Sequence, residues 1–385
     1  MNTQTLPQTR SFTATSGGAS GIALAPAVKR MNPVPRGVDP ADIKLKLVWR
    51  GVESISSRSA PQPRSVLQMR SPRHWGIVLA GGDGVRLREL TQYVCGDDRP
   101  KQFCPLLGER TLLEEARQRA ERSLPTDQIL FALTRSHHKH YLRYLADRPS
   151  QRIVQPSNKG TAPAILCSLL SIARADSNAV VSILPCDHYY SREDAFSATL
   201  EQAFDIAEQR RGSIVLLGAE ANGPEIEYGW IETGESIDSH LGLSRVKAFH
   251  EKPSLPAAAA LFRSGSLWNT FVMVGPVQVF LDLARNSVPS LMRELEPEFA
   301  KLDPRGEVLI PDAPYNRIHP IDFSRQILSP SNDRLLALPL ERTEWSDLGD
   351  PYRVLVTFVQ KNGYLPDWAN LWLHEHMTRG IAVGA

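Results

Sequence analysis

Three glycines at positions 81, 82 and 84 follow directly on the apolar run Gly76–Ala80, and Arg86 stands two residues past the last of them. Glycines let a backbone approach a ligand closely with its amides turned inward, a concavity suited to anionic phosphate. An arginine beside such a loop can fork onto phosphate oxygens as a bidentate pair. A second cation lies in Arg99-Pro-Lys-Gln-Phe-Cys-Pro105, where Pro100 and Pro105 stiffen the backbone around Lys101 and hold its ammonium in place. The loop is not a P-loop, because G-x-x-x-x-G-K-[ST] is missing. Nor is it a dinucleotide fingerprint, because Gly82-x-Gly84 lacks a third glycine at the required place.

These residues need a scaffold, and the hydrophobic pattern supplies one. Short apolar runs recur at Gly76–Ala80, Gln128–Thr134, Ala179–Leu184 and Ser213–Gly218, each suited to a strand buried on both faces. Helical stretches separate them. Thr111-Leu-Leu-Glu114 reads as a capping box at a helix start, and Ala162–Ala175 and Ala195–Arg211 are two further helix candidates. Strand alternating with helix predicts an α/β sheet covered on both faces. From about Tyr228 the pattern turns mixed, with strand candidates at Tyr228–Thr233, Leu243–His250, Asn269–Val274 and Leu335–Leu340.

With the glycine loop in place, the chain resembles a known family. Leu79–Leu87 followed by Arg99–Leu106 is similar to the nucleotide-binding signature of the sugar-1-phosphate nucleotidyltransferases, and Pro100-Lys-Gln-Phe leans toward their mannose-1-phosphate guanylyltransferase branch. Further matches follow in order: Gln155-Pro-Ser-Asn-Lys-Gly-Thr-Ala-Pro-Ala-Ile165, Leu184-Pro-Cys-Asp-His188, Phe249-His-Glu-Lys-Pro253, Trp268-Asn269 and Trp345-Ser-Asp-Leu-Gly349. The resemblance implies a Rossmann-like mixed, mainly parallel sheet flanked by helices, of the nucleotide-diphospho-sugar transferase (GT-A-like) type. It also implies transfer of a nucleotidyl group from a nucleoside triphosphate, GTP by preference, to a sugar 1-phosphate, mannose 1-phosphate by preference, with release of pyrophosphate. A UTP- or CTP-dependent enzyme for another hexose 1-phosphate, or a catalytically silent nucleotide-sugar-binding homologue, are the alternatives.

Carried over residue by residue, the resemblance gives Leu79, Ala80, Gly81, Gly82, Gly84, Gln155, Gly160 and Thr161 to the nucleotide. Arg86 and Lys101 would meet the β- and γ-phosphates and stabilise the leaving pyrophosphate. Lys252 would hold the sugar phosphate, Glu251 would accept from sugar hydroxyls, and Tyr228, Gly229 and Asn269 would line the sugar pocket. The attacking phosphate oxygen is already an anion, so the reaction needs in-line placement and relief of repulsion between two polyanions rather than a general base. Mg²⁺ would supply that relief, held by Asp187 at the carboxyl end of the Val180–Leu184 strand and by Asp347. The chain departs from the family pattern at Asp83, where an acid in a phosphate loop must point outward or meet the metal, and at Gly160, where the branch commonly has Asn.

Composition bounds the rest. The formal charge of +2 averages a net +7 over residues 1–70 with a net −5 over the remainder. An acidic body argues against general nucleic-acid binding, so any polyanion must be held by local devices. Residues 1–70 read as a disordered basic leader and 71–385 as one nucleotidyltransferase domain with no C-terminal β-helix or isomerase domain. No apolar run is long enough to span a membrane, and homo-oligomerisation stays open. Cys95, Cys104, Cys167 and Cys186 are unevenly spaced without a C-x-x-C pair, and read as isolated thiols of a cytoplasmic protein. The runs His137-His-Lys-His140 and Leu373-His-Glu-His376 read as surface rather than metal-binding.

Overall fold

A computed structural model of the chain describes residues 73–148, 151–301 and 307–381, with side chains as far as 376. The leader expected over 1–70 lies outside the described residues. Among the described residues twelve strands are formed: β1 (His74–Leu79), β2 (Ile129–Thr134), β3 (Arg152–Gln155), β4 (Val180–Pro185), β5 (Tyr189–Tyr190), β6 (Ile214–Ala219), β7 (Gly229–Asp238), β8 (Leu243–Glu251), β9 (Leu267–Pro276), β10 (Val308–Leu309), β11 (Leu335–Leu340) and β12 (Trp345–Ser346). Ten of them make one sheet in the order β10-β3-β2-β1-β4-β9-β6-β11-β8-β7. Only β8 and β9 run against the rest, which makes the sheet mixed and mainly parallel.

The apolar runs are continuous because successive side chains enter different cores. In β1, Ile77 packs into one core and Val78 into the other; β4 divides the same way between Val181 and Val180, and β6 between Ile214 and Val215. The helices are α1 (Arg88–Cys95), α2 (Leu112–Ser123), α3 (His138–Leu145), α4 (Thr161–Ala175), α5 (Glu193–Gln209), α6 (Leu255–Arg263), α7 (Val277–Ser287), α8 (Pro289–Phe299), α9 (Asp312–Asn316), α10 (Pro351–Asn362) and α11 (Asp367–Ile381). α4, α7 and α8 cover one face of the sheet, and α2 and α5 the other. α2 begins with the expected capping box: Thr111 Oγ1 accepts from Glu114 N–H and Glu114 returns the bond to the Thr111 amide. Such a cap stabilises a helix start by about 1 kcal/mol.

Two features carry the chain to its functional end. A third, smaller core joins Leu87 and Leu90 near α1 to Leu348, Val354 and Phe358 of the α10 region. A two-stranded ribbon pairs β12 with β5 antiparallel, Trp345 opposite Tyr190 and Ser346 opposite Tyr189. The ribbon sets Asp347 beside the loop that follows β4. Among the described residues, no helix is long and apolar enough to cross a membrane.

Candidate active site

A cleft of about 430 Å³ opens at the carboxyl ends of β1 and β4. Chain order reverses across the sheet between these strands, and α/β folds place ligands at such a switch point. Its wall contains Leu79, Gly81, Gly82, Gln155, Gly160, Thr161, Asp187, Tyr228, Gly229, Glu251, Asn269 and Asp347, all singled out from sequence. Ala80, Gly84, Arg86, Lys101 and Lys252 are not part of that wall. They stand behind it or at its rim.

The glycine loop is held from the protein side. Gln102 Nε2 donates to the carbonyl oxygens of Ala80 (3.0 Å) and Gly82 (2.7 Å), and Thr134 Oγ1 donates to that of Gly81 (2.8 Å). Three carbonyl dipoles that would repel phosphate are thereby engaged elsewhere. Gly81 is glycine for want of room, since a Cβ there would lie 2.9 Å from Thr134 Oγ1. Gly84 takes the left-handed conformation at φ 60°. Asp83 does point aside: Asn158 Nδ2 donates to its Oδ2 at 3.0 Å, and His137 Nε2 lies 3.4 Å from its Oδ1. The expectation of a surface histidine run is therefore corrected at His137, which is buried against this acid; burial pushes its imidazole below the ordinary value, Asp83 opposing. His376 is also committed to the fold, facing Glu89 at 3.0 Å and stacked on Trp372.

Lys101 is buried and touches three acceptors. Its Nζ donates to the carbonyl oxygens of Asp347 and Leu348, each at 3.0 Å, and stands 3.0 Å from Asp187 Oδ2. One ammonium thus ties the two carboxylate segments together. Burial would raise the Asp187 carboxyl, but Lys101 and His188 hold it below the usual range. The His188 tautomer is set by Trp345, whose indole N–H donates to Nδ1 at 3.2 Å and leaves the proton on Nε2, 3.8 Å from Asp187 Oδ1.

Asp347 is oriented by a residue that sequence reasoning missed. Arg353, in the first turn of α10, places NH1 3.1 Å from Asp347 Oδ1, NH2 2.9 Å from Glu225 and Nε 3.2 Å from Asp350. The same guanidinium lies 4.3 Å from the centre of the Tyr228 ring, and the Tyr228 hydroxyl donates to Asp347 Oδ1 at 3.3 Å. Gly349 N–H also donates to Oδ1, at 2.9 Å. Among the described residues every donor on this carboxylate goes to Oδ1, which leaves Oδ2 for a ligand.

At the far end of the cleft the sugar-side candidates converge. A Cβ on Gly229 would lie 2.9 Å from Glu251 Oε2 and 3.3 Å from Asn269 Cβ, so a larger residue there would press on the Glu251 carboxylate. Burial and the neighbouring Asp322 raise the Glu251 carboxyl, with Lys252 and Arg325 opposing. Asn269 Oδ1 accepts from Phe271 N–H at 3.1 Å, where Phe271 itself has φ 59°. At the rim, Lys252 Nζ (3.3 Å) and Arg86 NH1 (3.8 Å) both approach Glu227 Oε2, bringing together two cations distant in sequence.

On the nucleotide side, Gln155 is committed to the fold: its Oε1 accepts from Tyr315 at 2.5 Å and its Nε2 donates to Leu133 at 3.4 Å. Thr161 Oγ1 accepts from Phe323 N–H at 2.8 Å. Gly160 has φ 89°, and a Cβ there would collide with the Ile321 carbonyl oxygen. That contact explains why Asn does not stand at this position. Gly160→Ala should cost about 1–3 kcal/mol from strain alone and push the Ile321–Ser324 wall outward. Chemical denaturation should show the loss, and nucleotide titration a weaker affinity. An unchanged midpoint would contradict the contact.

The cleft also includes Gln102, Asn158, His188, Glu227, Phe271, Asp322, Ser324 and Trp345, to which the sequence assigned no role. His188 and Trp345 lay inside recognised motifs; Asp322 and Ser324 carried no local signal.

Comparison with known proteins supplies the family. The family model described as nucleotidyl transferase matches residues 75–358. The chain belongs to the nucleotidyl transferase family. Xanthan biosynthesis protein XanB of Xanthomonas campestris pv. campestris (strain B100) is 31% identical over 220 residues, covering 56% of this family member and 44% of XanB. Alginate biosynthesis protein AlgA of Pseudomonas fluorescens is 26% identical over 317 residues, 80% of this chain and 60% of AlgA. Mannose-1-phosphate guanylyltransferase of Escherichia coli (strain K12) is 26% identical over 321 residues, covering 81% and 62% respectively. This nucleotidyl transferase family member thus spans about half the length of the curated relatives it matches. Among solved structures, mannose-1-phosphate geranyltransferase from Thermus thermophilus superposes with a TM-score of 0.63 at 27% identity, over 72% of this chain and 76% of that one. Mannose-6-phosphate isomerase from Helicobacter pylori, at 23% identity and a TM-score of 0.58 over 71% of this chain and 99% of that one, shares the fold.

Proposed function

We propose that this chain transfers a guanylyl group from GTP to mannose 1-phosphate, forming GDP-mannose and releasing pyrophosphate, in the cytoplasm. The observation that carries the reading is a single cleft with the glycine loop at one end, the Asp187–Lys101–Asp347 cluster in the middle and the Glu251–Asn269–Gly229 wall at the other. A nucleoside triphosphate laid along it puts its phosphates between the loop and the carboxylates, and a sugar phosphate enters from the Glu251 end.

Each residue then has a physical task. Glycine amides and Arg86 meet the triphosphate, and Lys252 meets the sugar phosphate at the shared Glu227 rim. Glu251 and Asn269 fix the sugar so that its phosphate oxygen lies in line with the bond to be broken. Lys101 keeps Asp187 ionised and anchors the Asp347 turn, while Arg353 and Tyr228 aim the Asp347 carboxylate. Two carboxylates with open oxygens suit Mg²⁺, which takes few protein ligands and completes its shell with phosphate oxygens and water. Among the described residues no group of three or more His, Cys, Asp or Glu side chains is placed to hold a metal ion by itself, so an ion here would draw most of its ligands from phosphate and water. Bound there, Mg²⁺ would neutralise charge building on the phosphates.

Pyrophosphate release should be measured for GTP, UTP, CTP, dTTP and ATP, each with mannose 1-phosphate and glucose 1-phosphate. GTP with mannose 1-phosphate should be the fastest pair. A faster alternative pair would replace the substrate assignment. Nucleotide binding with no turnover by any pair would point to a silent homologue.

A further inference from the structure

The four cysteines are not four isolated thiols. Cys95, at the end of α1, and Cys104, at the end of the Lys101–Phe103 turn, place their Sγ atoms 2.8 Å apart. Both are free. Cys95 is partly exposed, whereas Cys104, Cys167 and Cys186 are buried. Arg99 lies nearby, itself held by Asp97 through Nε at 2.6 Å and NH2 at 2.8 Å. We propose that Cys95 and Cys104 form a reversible redox pair, oxidised to an intramolecular disulfide by a low-molecular-weight disulfide such as oxidised glutathione, and that this bond sets the geometry of the active-site turn.

Reactivity divides naturally between the two sulfurs. The contact with Cys104 and the Arg99 guanidinium draw the Cys95 thiol below its ordinary value against the opposing effect of burial, and the contact with Cys95 together with burial pushes Cys104 up. A partly exposed thiolate with a buried thiol in contact is the arrangement of an attacking and a resolving cysteine. The Cys95 thiolate attacks one sulfur of the glutathione disulfide, forming a protein–glutathione bond and expelling one glutathione thiolate. Cys104 then gives up its proton and attacks the Cys95 sulfur, expelling the second glutathione thiolate, and the two protons lost by the protein end on the two glutathiones. Two protein thiols are oxidised and one disulfide is reduced.

The turn being tethered is the one that holds the site. Cys104 N–H donates to Lys101 O at 3.0 Å, and Cys104 O accepts from Leu112 N–H at 3.3 Å. Between Cys95 and Cys104 lie Lys101, which ties Asp187 to the Asp347 segment, and Gln102, which braces two carbonyls of the glycine loop. Drawing Cys104 toward α1 displaces these contacts by a fraction of an ångström, and misplacement on that scale can slow an enzyme by about tenfold or more. The effect on turnover rests on the nucleotidyl-transfer reading; formation of the bond does not.

The test incubates the full chain with oxidised glutathione and follows intact mass, tryptic mapping and pyrophosphate release. The wild-type chain should lose two hydrogen atoms with the bond mapped to Cys95–Cys104, turnover should fall about tenfold, and a dithiol reductant should restore both. Cys104→Ser should stop at a glutathione adduct on Cys95. Cys95→Ser should keep the reduced enzyme's activity and take up neither change. A stable wild-type adduct, a bond involving Cys167 or Cys186, or no mass change would overturn the pair. A mapped bond with unchanged turnover would overturn the control of the turn. An inactive reduced enzyme that still forms the bond would remove the proposed reaction and leave the redox pair standing.

Discussion

Asp187→Asn should lower turnover by about a thousandfold or more while leaving the fold in place. The substitution keeps the side chain's shape and one oxygen that can still accept from Lys101, so the Lys101 ammonium retains its two backbone carbonyl partners and one side-chain partner. What disappears is the negative charge at the end of β4, which no neighbour replaces. Asp347 sits across Lys101 with Oδ1 already occupied, and one remaining oxygen cannot supply both halves of a metal-binding pair. Activity should be followed by pyrophosphate release and the fold by thermal unfolding. Binding of Mn²⁺ to the free protein gives a second readout by electron paramagnetic resonance, and it should weaken in parallel. Turnover within a factor of about ten of wild type would take Asp187 out of the metal-binding role.

Arg353→Met should be almost as damaging, through position rather than chemistry. The guanidinium meets three carboxylates at once, those of Asp347, Glu225 and Asp350, and stacks on Tyr228. Methionine preserves the stem's packing but leaves those acids facing one another with no cation between them. Removing one member of a largely buried charge network typically costs about 3–5 kcal/mol; since the acids keep some exposure here, about 2–3 kcal/mol is the expected loss. Turnover should fall further than stability implies, because Asp347 loses its aim. Arg353→Lys separates the two effects: an ammonium can restore charge but cannot bridge three acids in one plane. It should regain most of the denaturation midpoint and little of kcat. Full recovery of kcat by lysine would show that charge alone matters at this position.

Much of this protein was readable in advance because both faces of the central strands are buried. β1, β2, β4 and β6 announce themselves as unbroken apolar runs, and α4 and α5 as the helices between them. The cleft was readable wherever a residue followed the end of such a run, as with Gly81 and Asp187, whereas Gln155 at the end of β3 was found only through the family resemblance. The ribbon strands β5 and β12 and the edge strand β10 are two residues each, too short for any periodicity to register. Arg353 follows a helix cap, where an arginine is ordinarily a solvated charge. Its value comes from acids that only tertiary structure brings near. His137 was misjudged for the same reason, since its acidic partner, Asp83, belongs to a different loop. The Cys95–Cys104 contact was hidden because a separation of nine positions matches no recognised cysteine spacing.

The β5–β12 ribbon has a consequence for the birth of the protein. It joins Tyr189 and Tyr190 to residues made near the end of the domain, with Trp345 and Ser346 as the partners. A nascent chain can build the β1–β4 part of the sheet and the glycine loop before β11 and Asp347 leave the ribosome. Until that late segment zips onto β5, the growing polypeptide holds only Asp187 of the two carboxylates in the proposed magnesium site. Pairing over so long a stretch of chain is also a slow event in folding. On the proposed reaction, catalytic competence therefore waits for the β12 segment, and a chain cut short before Trp345 would own most of the β1–β4 scaffold and lack the Asp347 carboxylate.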